Sequence, residues 1–182
     1  MSGYRDLLKE QLDAEANPIN PSEWGPHLWK MLHWLAENVG QQTSKILQTD
    51  ETEAWKRLLR VLTQVLPCAM CRGHYSNYMK SHFDIEKISR TTDQIEKYEL
   101  IRRWLFELHE DVNLRRGVDG GVTFDNLKDT YAATNFVEER VKFLQVAMRA
   151  LRKKIITRDS LVSLKAALVT LYGMYRPFPM RK

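Results

Sequence analysis

Cysteine is nearly absent from this 182-residue chain: there are two, three apart, in Pro67-Cys68-Ala69-Met70-Cys71. A fold stapled by disulfides would scatter many more, so a disulfide framework is excluded. Proline and glycine are sparse too, at six and eight, and strand signals are scarce, so the composition favours helices. No apolar run approaches the ~20 residues that a bilayer requires. The first residues, Met1-Ser2-Gly3-Tyr4-Arg5-Asp6, are polar and carry no apolar signal-peptide core. A cytoplasmic protein without a membrane span is therefore expected. Internal repeats and low-complexity stretches are missing as well.

Acidic residues thin out toward the C-terminus. From Val137 to Lys182 eleven Lys/Arg face three Asp/Glu, whereas the rest holds seventeen against twenty, for a net charge of +5. Such a tail could meet nucleic acid, an anionic surface or an acidic partner. The plainer reading is a solvated face on amphipathic helices, because no aromatic RNA-binding signature or zinc-finger spacing accompanies it, and nucleic-acid contact is left unsupported.

What is present is an ample core: 43% hydrophobic residues, with five Trp, seven Tyr and six Phe, enough for one domain. The apolar spacing is helical throughout. After Asn17-Pro18 and Asn20-Pro21, Ser22 can cap a helix carrying Leu28, Met31, Leu32, Leu35 and Val39, ended by Gly40. Asp50 or Thr52 can cap a second, with Trp55, Leu58, Leu59, Leu62, Val65 and Leu66. Pro67 interrupts it and opens a third, with both cysteines in its first turn. A fourth runs from about Asp93 to Arg116, with Ile95, Tyr98, Ile101, Leu105 and Leu108 on one stripe. Asp119-Gly120-Gly121 is a turn, followed by a short segment around Phe124–Tyr131. Two more helices carry Val137, Val141, Leu144, Met148 and Leu151, and then Leu161, Leu164, Leu168 and Leu171.

The cysteine spacing points to redox chemistry. Residues i and i+3 on a helical turn have Cα atoms about 5–5.5 Å apart, which suits a disulfide without backbone distortion. At a helix start, unpaired N–H groups stabilise a thiolate, and Arg72 and His74 add to that effect. Cys68 is expected to face exchange partners and Cys71 to face inward. The bland alternative is two unrelated buried thiols. A thioredoxin-like module needs a preceding strand, which is not seen, and haem attachment needs His where Arg72 stands. Zinc is a rival, because Cys68, Cys71, His74 and His82 offer four ligands within fifteen residues, although structural zinc usually joins two separated knuckles. Two aromatic blocks flank the pair, Trp24-Gly25-Pro26-His27-Leu28-Trp29 with Leu32-His33, and Trp104 with Leu108-His109-Glu110-Asp111-Val112-Asn113. Each alone reads as core. Together with the cysteines they describe an apolar slot suited to a flat cofactor.

These three blocks, in this order, resemble the Erv/ALR family of FAD-dependent sulfhydryl oxidases, over roughly residues 20–131. They are similar to its W-G-P-x-x-W…L-H helix, its P-C-x-x-C with a following His-aromatic pair (His74-Tyr75), and its W…H-N-x-V-N block. The resemblance implies an all-α fold: a four-helix bundle plus a short fifth helix, holding FAD at one end, as a homodimer. The chain then divides into a polar segment at 1–20, the oxidase domain at 21–131 and a helical basic extension at 132–182. Thiol-containing substrate proteins would give electrons to the cysteine pair, FAD would take them, and O2 would leave as H2O2. Cys68 would meet the substrate and Cys71 would abut the flavin as a thiolate. Gly25, Trp29, His33, His74, His109, Val112 and Asn113 would contact FAD, with Lys128 and Tyr131 near its adenine or phosphate end.

The departures are informative. Glu110 stands where the family has Asn, and Arg115-Arg116-Gly117-Val118 lacks the usual lysine. No cysteines remain for a shuttle disulfide or for a structural disulfide at the fifth helix, so clients must reach Cys68 directly and packing alone must hold that helix. This reduced form resembles the oxidases of large DNA viruses, which implies a host cytoplasm or virion. The competing class is a non-enzymatic helical interaction protein with a structural zinc site and a basic partner-binding tail.

Overall fold

The computed structural model describes residues 19–176. The polar segment expected over 1–20 lies outside them except for its last two residues, as do the tail cations Arg181 and Lys182. Among the described residues there is no strand. A 3-10 turn at Pro21–Glu23 leads into α1 (Gly25–Ala36), α2 (Lys45–Val65), α3 (Ala69–His82), α4 (Glu86–Arg90), α5 (Gln94–Arg116), α6 (Leu127–Ala132), α7 (Phe136–Arg152) and α8 (Arg158–Tyr175).

The expected bundle is made by α1, α2, α3 and α5, and α6 is the short fifth helix. Met31, Leu35, Trp55, Leu58, Leu59, Ile101 and Leu105 meet in its centre, each at most 1% exposed. Each such side chain contributes roughly 1.5–3 kcal/mol by leaving water. The two C-terminal helices pack on this bundle, α8 along α2 and α7 along α1. Leu161, Leu164, Leu168 and Leu171 all face inward, as their spacing predicts.

The helix starts differ from expectation in instructive ways. Ahead of α1, Asn20 rather than Ser22 is the cap, with Glu23 reaching back to it in a capping box. The second helix begins at Lys45, so Asp50 and Thr52 are interior. Thr52 is tolerated there because its hydroxyl bonds back to the Gln48 carbonyl at 2.9 Å and receives Lys97 Nζ at 2.8 Å. The third helix starts at Ala69, with Cys68 as its cap rather than inside its first turn. Pro67 forces Leu66 into extended backbone (ψ 128°), and the helix resumes two residues later.

Two apolar stripes are also corrected. Ile95 is 75% exposed, on the projecting first turn of α5. On α7 the buried face is Phe136, Phe143, Ala147 and Ala150, while Val137, Val141 and Met148 are exposed. The reason is Glu139, which turns inward to meet His27 Nδ1 at 2.5 Å and Lys30 Nζ at 3.1 Å on α1. A paired carboxylate on the buried face breaks the apolar pattern from which the stripe is read.

No disulfide anchors the segment leading to α6. Arg102 of α5 does that work instead. It donates to the Phe124 carbonyl at 2.9 Å, lies 4.3 Å from the Phe124 ring centre, and pairs with Glu37 Oε1 at 2.7 Å.

Candidate active site

One end of the bundle opens into a cleft of about 510 Å³. Gly25, Leu28, Trp29 and Leu32 of α1 form one wall, Leu62 and Leu66 the floor side, and α3 and α5 the opposite wall. The lining is overwhelmingly apolar, and the rim carries Arg115 and Arg116. Cys71 lines this cleft and Cys68 does not. The two are joined as a disulfide with Cα atoms 5.1 Å apart, within the range expected from their spacing.

The local sequence explains this placement. Pro67 ends extended chain, so Cys68 takes the cap position (φ −149°, ψ 118°), and its Sγ accepts from the Cys71 backbone N at 3.1 Å. Cys71 then falls at the third helical position, on the face that lines the cleft. Arg72 points the other way and donates to the Leu66 carbonyl at 2.6 Å, closing the end of α2.

Seven of the remaining expected site residues fall into two groups, and Asn113 and Lys128 into neither. Gly25, Trp29, His74 and Val112 line the cleft beside Cys71. His33, His109 and Tyr131 form an aromatic stack behind Trp29. The Trp29 and His109 rings lie 4.0 Å apart and nearly parallel, and His33 stacks on Tyr131 at 4.5 Å. Neither Asn113 nor Lys128 lines the cleft: Asn113 donates to Glu110 Oε1 at 3.3 Å, and Lys128 is exposed on α6. Asp111 escapes the sequence reading although it is central: it receives His74 Nε2 at 2.7 Å and Arg115 Nε at 2.9 Å. Its signal is the i, i+4 spacing to Arg115.

Zinc does not fit this arrangement. His82 is exposed and stacks on Tyr78, and His74 is taken by Asp111. Among the described residues no three His, Cys, Asp or Glu side chains converge as metal ligands. Eight residues along a helix carry His82 about 12 Å beyond His74, too far to share an ion.

His33 and His109 are joined through Nε2 and Nδ1 at 3.0 Å. Burial lowers the pKa of His33 to about 3, helped by the neighbouring His109 and Arg102, and lowers that of His109 to about 4. Both rings are therefore neutral at pH 7, one donating and the other accepting. Below the ordinary value of 6.5 the unfolded chain binds protons that the folded chain refuses, so stability falls as pH falls. Urea unfolding at pH 5 should show a loss of roughly 2 kcal/mol per imidazole relative to pH 7.5. A His109→Asn variant should show about half that pH dependence.

A flat ring system fits the cleft. Trp24 Nε1 and His33 Nδ1 are buried with no partner among the described residues, and Trp24 belongs to the cleft wall. Such orphans are polar groups that a bound molecule with its own donors and acceptors would satisfy. Among the described residues no helix is long and apolar enough to cross a membrane.

Residues 26–140 match the Erv1/Alr family. The chain is 31% identical over 75 residues, 41% of its length and 49% of the relative's, to a candidate FAD-linked sulfhydryl oxidase, 088R, of frog virus 3. It is 24% identical over 105 residues, 58% of its length and 48% of the relative's, to the FAD-linked sulfhydryl oxidase ERV1 of Arabidopsis thaliana. It is 28% identical over 98 residues, 50% of its length and 66% of the relative's, to the FAD-linked sulfhydryl oxidase of African swine fever virus. The chain thus spans from about half to two thirds of the length of these relatives. No solved structure matches it. A closed cysteine pair beside an aromatic cleft at the mouth of a helical bundle, and a family match over more than half of the sequence, lead to one assignment: the chain belongs to the Erv1/Alr family.

Proposed function

We propose that this chain is an FAD-linked sulfhydryl oxidase that forms disulfides in thiol-containing proteins. The observation that carries this reading is the position of Cys71, one half of a disulfide and also part of the wall of an apolar cleft large enough for a flat ring. The names of the relatives support it.

The division of labour follows from placement. Cys68 caps α3 outside the cleft, so a client thiolate attacks its sulfur, and Cys71 leaves into the cleft. The bound client is then released as a disulfide by its own second thiol. When bound, FAD supplies the two-electron acceptor for the reduced pair and the route onward to O2, with release of H2O2. Cys71, Trp29, His74 and Val112 would hold its ring, and the Arg115 and Arg116 guanidiniums would balance its phosphates. Trp29, Leu28 and Leu32 keep water from the ring's neighbourhood, which protects reactive species from side reactions. A homodimer and a cytoplasmic setting, in a host cell or virion, complete the proposal. The viral origin of two of the relatives supports that setting.

The visible spectrum of purified, desalted protein tests it. A flavin band near one FAD per chain, bleached by an anaerobic dithiol and restored by air, is expected. Protein that stays colourless after FAD is added back, and that takes up no oxygen with a dithiol, would overturn the reading.

A further inference from the structure

Attack on Cys68 expels Cys71 as a thiolate, yet the two sulfurs are not served alike. The start of α3 stabilises negative charge on Cys68, whose Sγ receives the Cys71 N–H at 3.1 Å. That same bond turns the Cys71 amide away from its own sulfur. What stands beside Cys71 is His74, one turn further along α3 on the same cleft wall.

His74 is braced from across the cleft. Its Nε2 lies 2.7 Å from Asp111 Oδ2 on α5, and the same oxygen receives Arg115 Nε at 2.9 Å. Burial pushes the Asp111 carboxyl up, but hydrogen bonds from Arg115 and His74 outweigh it and hold the group below the usual carboxylate range. An ionised carboxylate only accepts, so Nε2 carries the hydrogen in this bond and Nδ1 is left as the exchanging nitrogen. The other charges nearby are Arg116 on the cleft wall, Glu107 of α5, which with Asp111 faces Tyr78 of α3, and Arg72, which is directed to the Leu66 carbonyl. The lining contributed by α1 and α2 carries no charge.

Resting on the thiol-oxidase reading, we propose that Asp111 is a positioning residue: it fixes His74 through Nε2–H so that Nδ1 takes up a proton released by the client's thiols and, as an imidazolium, holds the expelled Cys71 sulfur as a thiolate. The first client thiolate forms an S–S bond to Cys68 as the Cys68–Cys71 bond breaks. The second client thiol displaces Cys68. The products are a client disulfide, a Cys68 thiol, a Cys71 thiolate and one proton on His74, so the two electrons and two protons of the client dithiol are accounted for. Position 111 is the unassigned x in the H-N-x-V-N pattern, so the resemblance gives this residue no role.

The test is a thiol titration that does not depend on turnover. In a Cys68→Ser protein, which keeps a good helix cap, Cys71 is the sole thiol, and its alkylation by iodoacetamide is followed from pH 4 to 10. Adding Asp111→Asn should raise the midpoint by about one unit, making alkylation about tenfold slower below it. Asp111→Glu should restore the midpoint. His74→Gln should produce the same shift as Asp111→Asn, with no further change when the two are combined. An unmoved midpoint in Asp111→Asn, or additive shifts in the pair, would overturn the proposal, and His74→Gln decides the matter should Asp111→Asn fail to fold. The oxidase reading fails separately, through absent flavin and absent oxygen uptake, while the titration stays readable.

Discussion

Replacing Cys71 with serine should reduce dithiol-dependent oxygen uptake by roughly a thousandfold or more, because the exchange depends on both sulfurs acting as one unit. The helical fold should persist. Cys71 is a half-buried side chain at the third position of α3, serine is slightly smaller, and the bundle centre built on Trp55, Leu58 and Leu105 lies elsewhere. Flavin should stay bound, since Trp29, Leu28 and Val112 still line the cleft. Cys68→Ser should be equally inactive, leaving Cys71 a free thiol on the cleft wall. Oxygen-electrode rates with a dithiol, read beside the flavin absorbance and far-UV circular dichroism, check all three statements. Retention of more than a few per cent of activity in either variant would remove the pair from the reaction. Loss of fold and colour together would mean that the disulfide is structural.

Arg102→Ala should be the most damaging substitution away from the cysteines, costing roughly 3–5 kcal/mol. The Arg102 and Glu37 side chains are 10% and 6% exposed and paired at 2.7 Å. Removing the cation leaves Glu37 buried with, among the described residues, only the Tyr98 hydroxyl, 2.8 Å away, as a partner. It also frees the Phe124 carbonyl and strips one cation from the Phe124 ring, which keeps Arg103 at 4.3 Å and Phe106 at 5.6 Å, and so loosens the segment ahead of α6. Tyr131 on α6 stacks on His33, so the loss should reach the aromatic stack behind the cleft. A lower urea midpoint, faster tryptic cleavage after Lys128 and weaker flavin retention are expected together. Arg102→Lys should recover only part of the stability, because an ammonium cannot serve carboxylate, carbonyl and ring face at once. A melting curve unchanged in Arg102→Ala would show that packing around Leu127 alone holds the segment.

This anchoring bears on how the family's fold survives with so few cysteines. Where the resemblance implies a structural disulfide at the fifth helix, the chain has a buried ion pair that also clasps a backbone carbonyl. Such a pair needs no oxidising compartment, and its strength comes from exclusion of water. The C-terminal helices extend the same strategy. Tyr175 at the end of α8 donates to Glu51 Oε1 at 2.6 Å and receives Trp55 Nε1 at 2.9 Å, all three in the interior. Burial raises the pKa of Glu51 against the pull of that hydrogen bond. The tail helices are therefore part of the core rather than an appendage to it.

Much of this was legible from residue order alone. Helical period, the two interruptions at Pro67 and Gly40, and the helix start near Asp93 are local properties, set by which side chains and dihedrals neighbouring residues permit. The cysteine pair is local as well, since three residues of one turn decide the Cα separation. Four positions around the cleft, Gly25, Trp29, His74 and Val112, could be named because three motifs recur in a known order. Other features required the fold. The buried face of α7 was misread because Glu139 looks like a surface residue until His27 and Lys30 arrive from a helix over a hundred positions away. Beyond its spacing to Arg115, nothing local marks Asp111 as part of the site; its role comes from α3, which brings His74 against it. Arg102 has no local signature of burial; Glu37 and Phe124, which close around it, come from elsewhere in the chain. Sequence determined the helices and the redox pair, because both depend on contacts within a turn or two. Tertiary structure decided which charges are buried and what they hold, because a charge enters the interior only when a distant partner compensates its lost hydration.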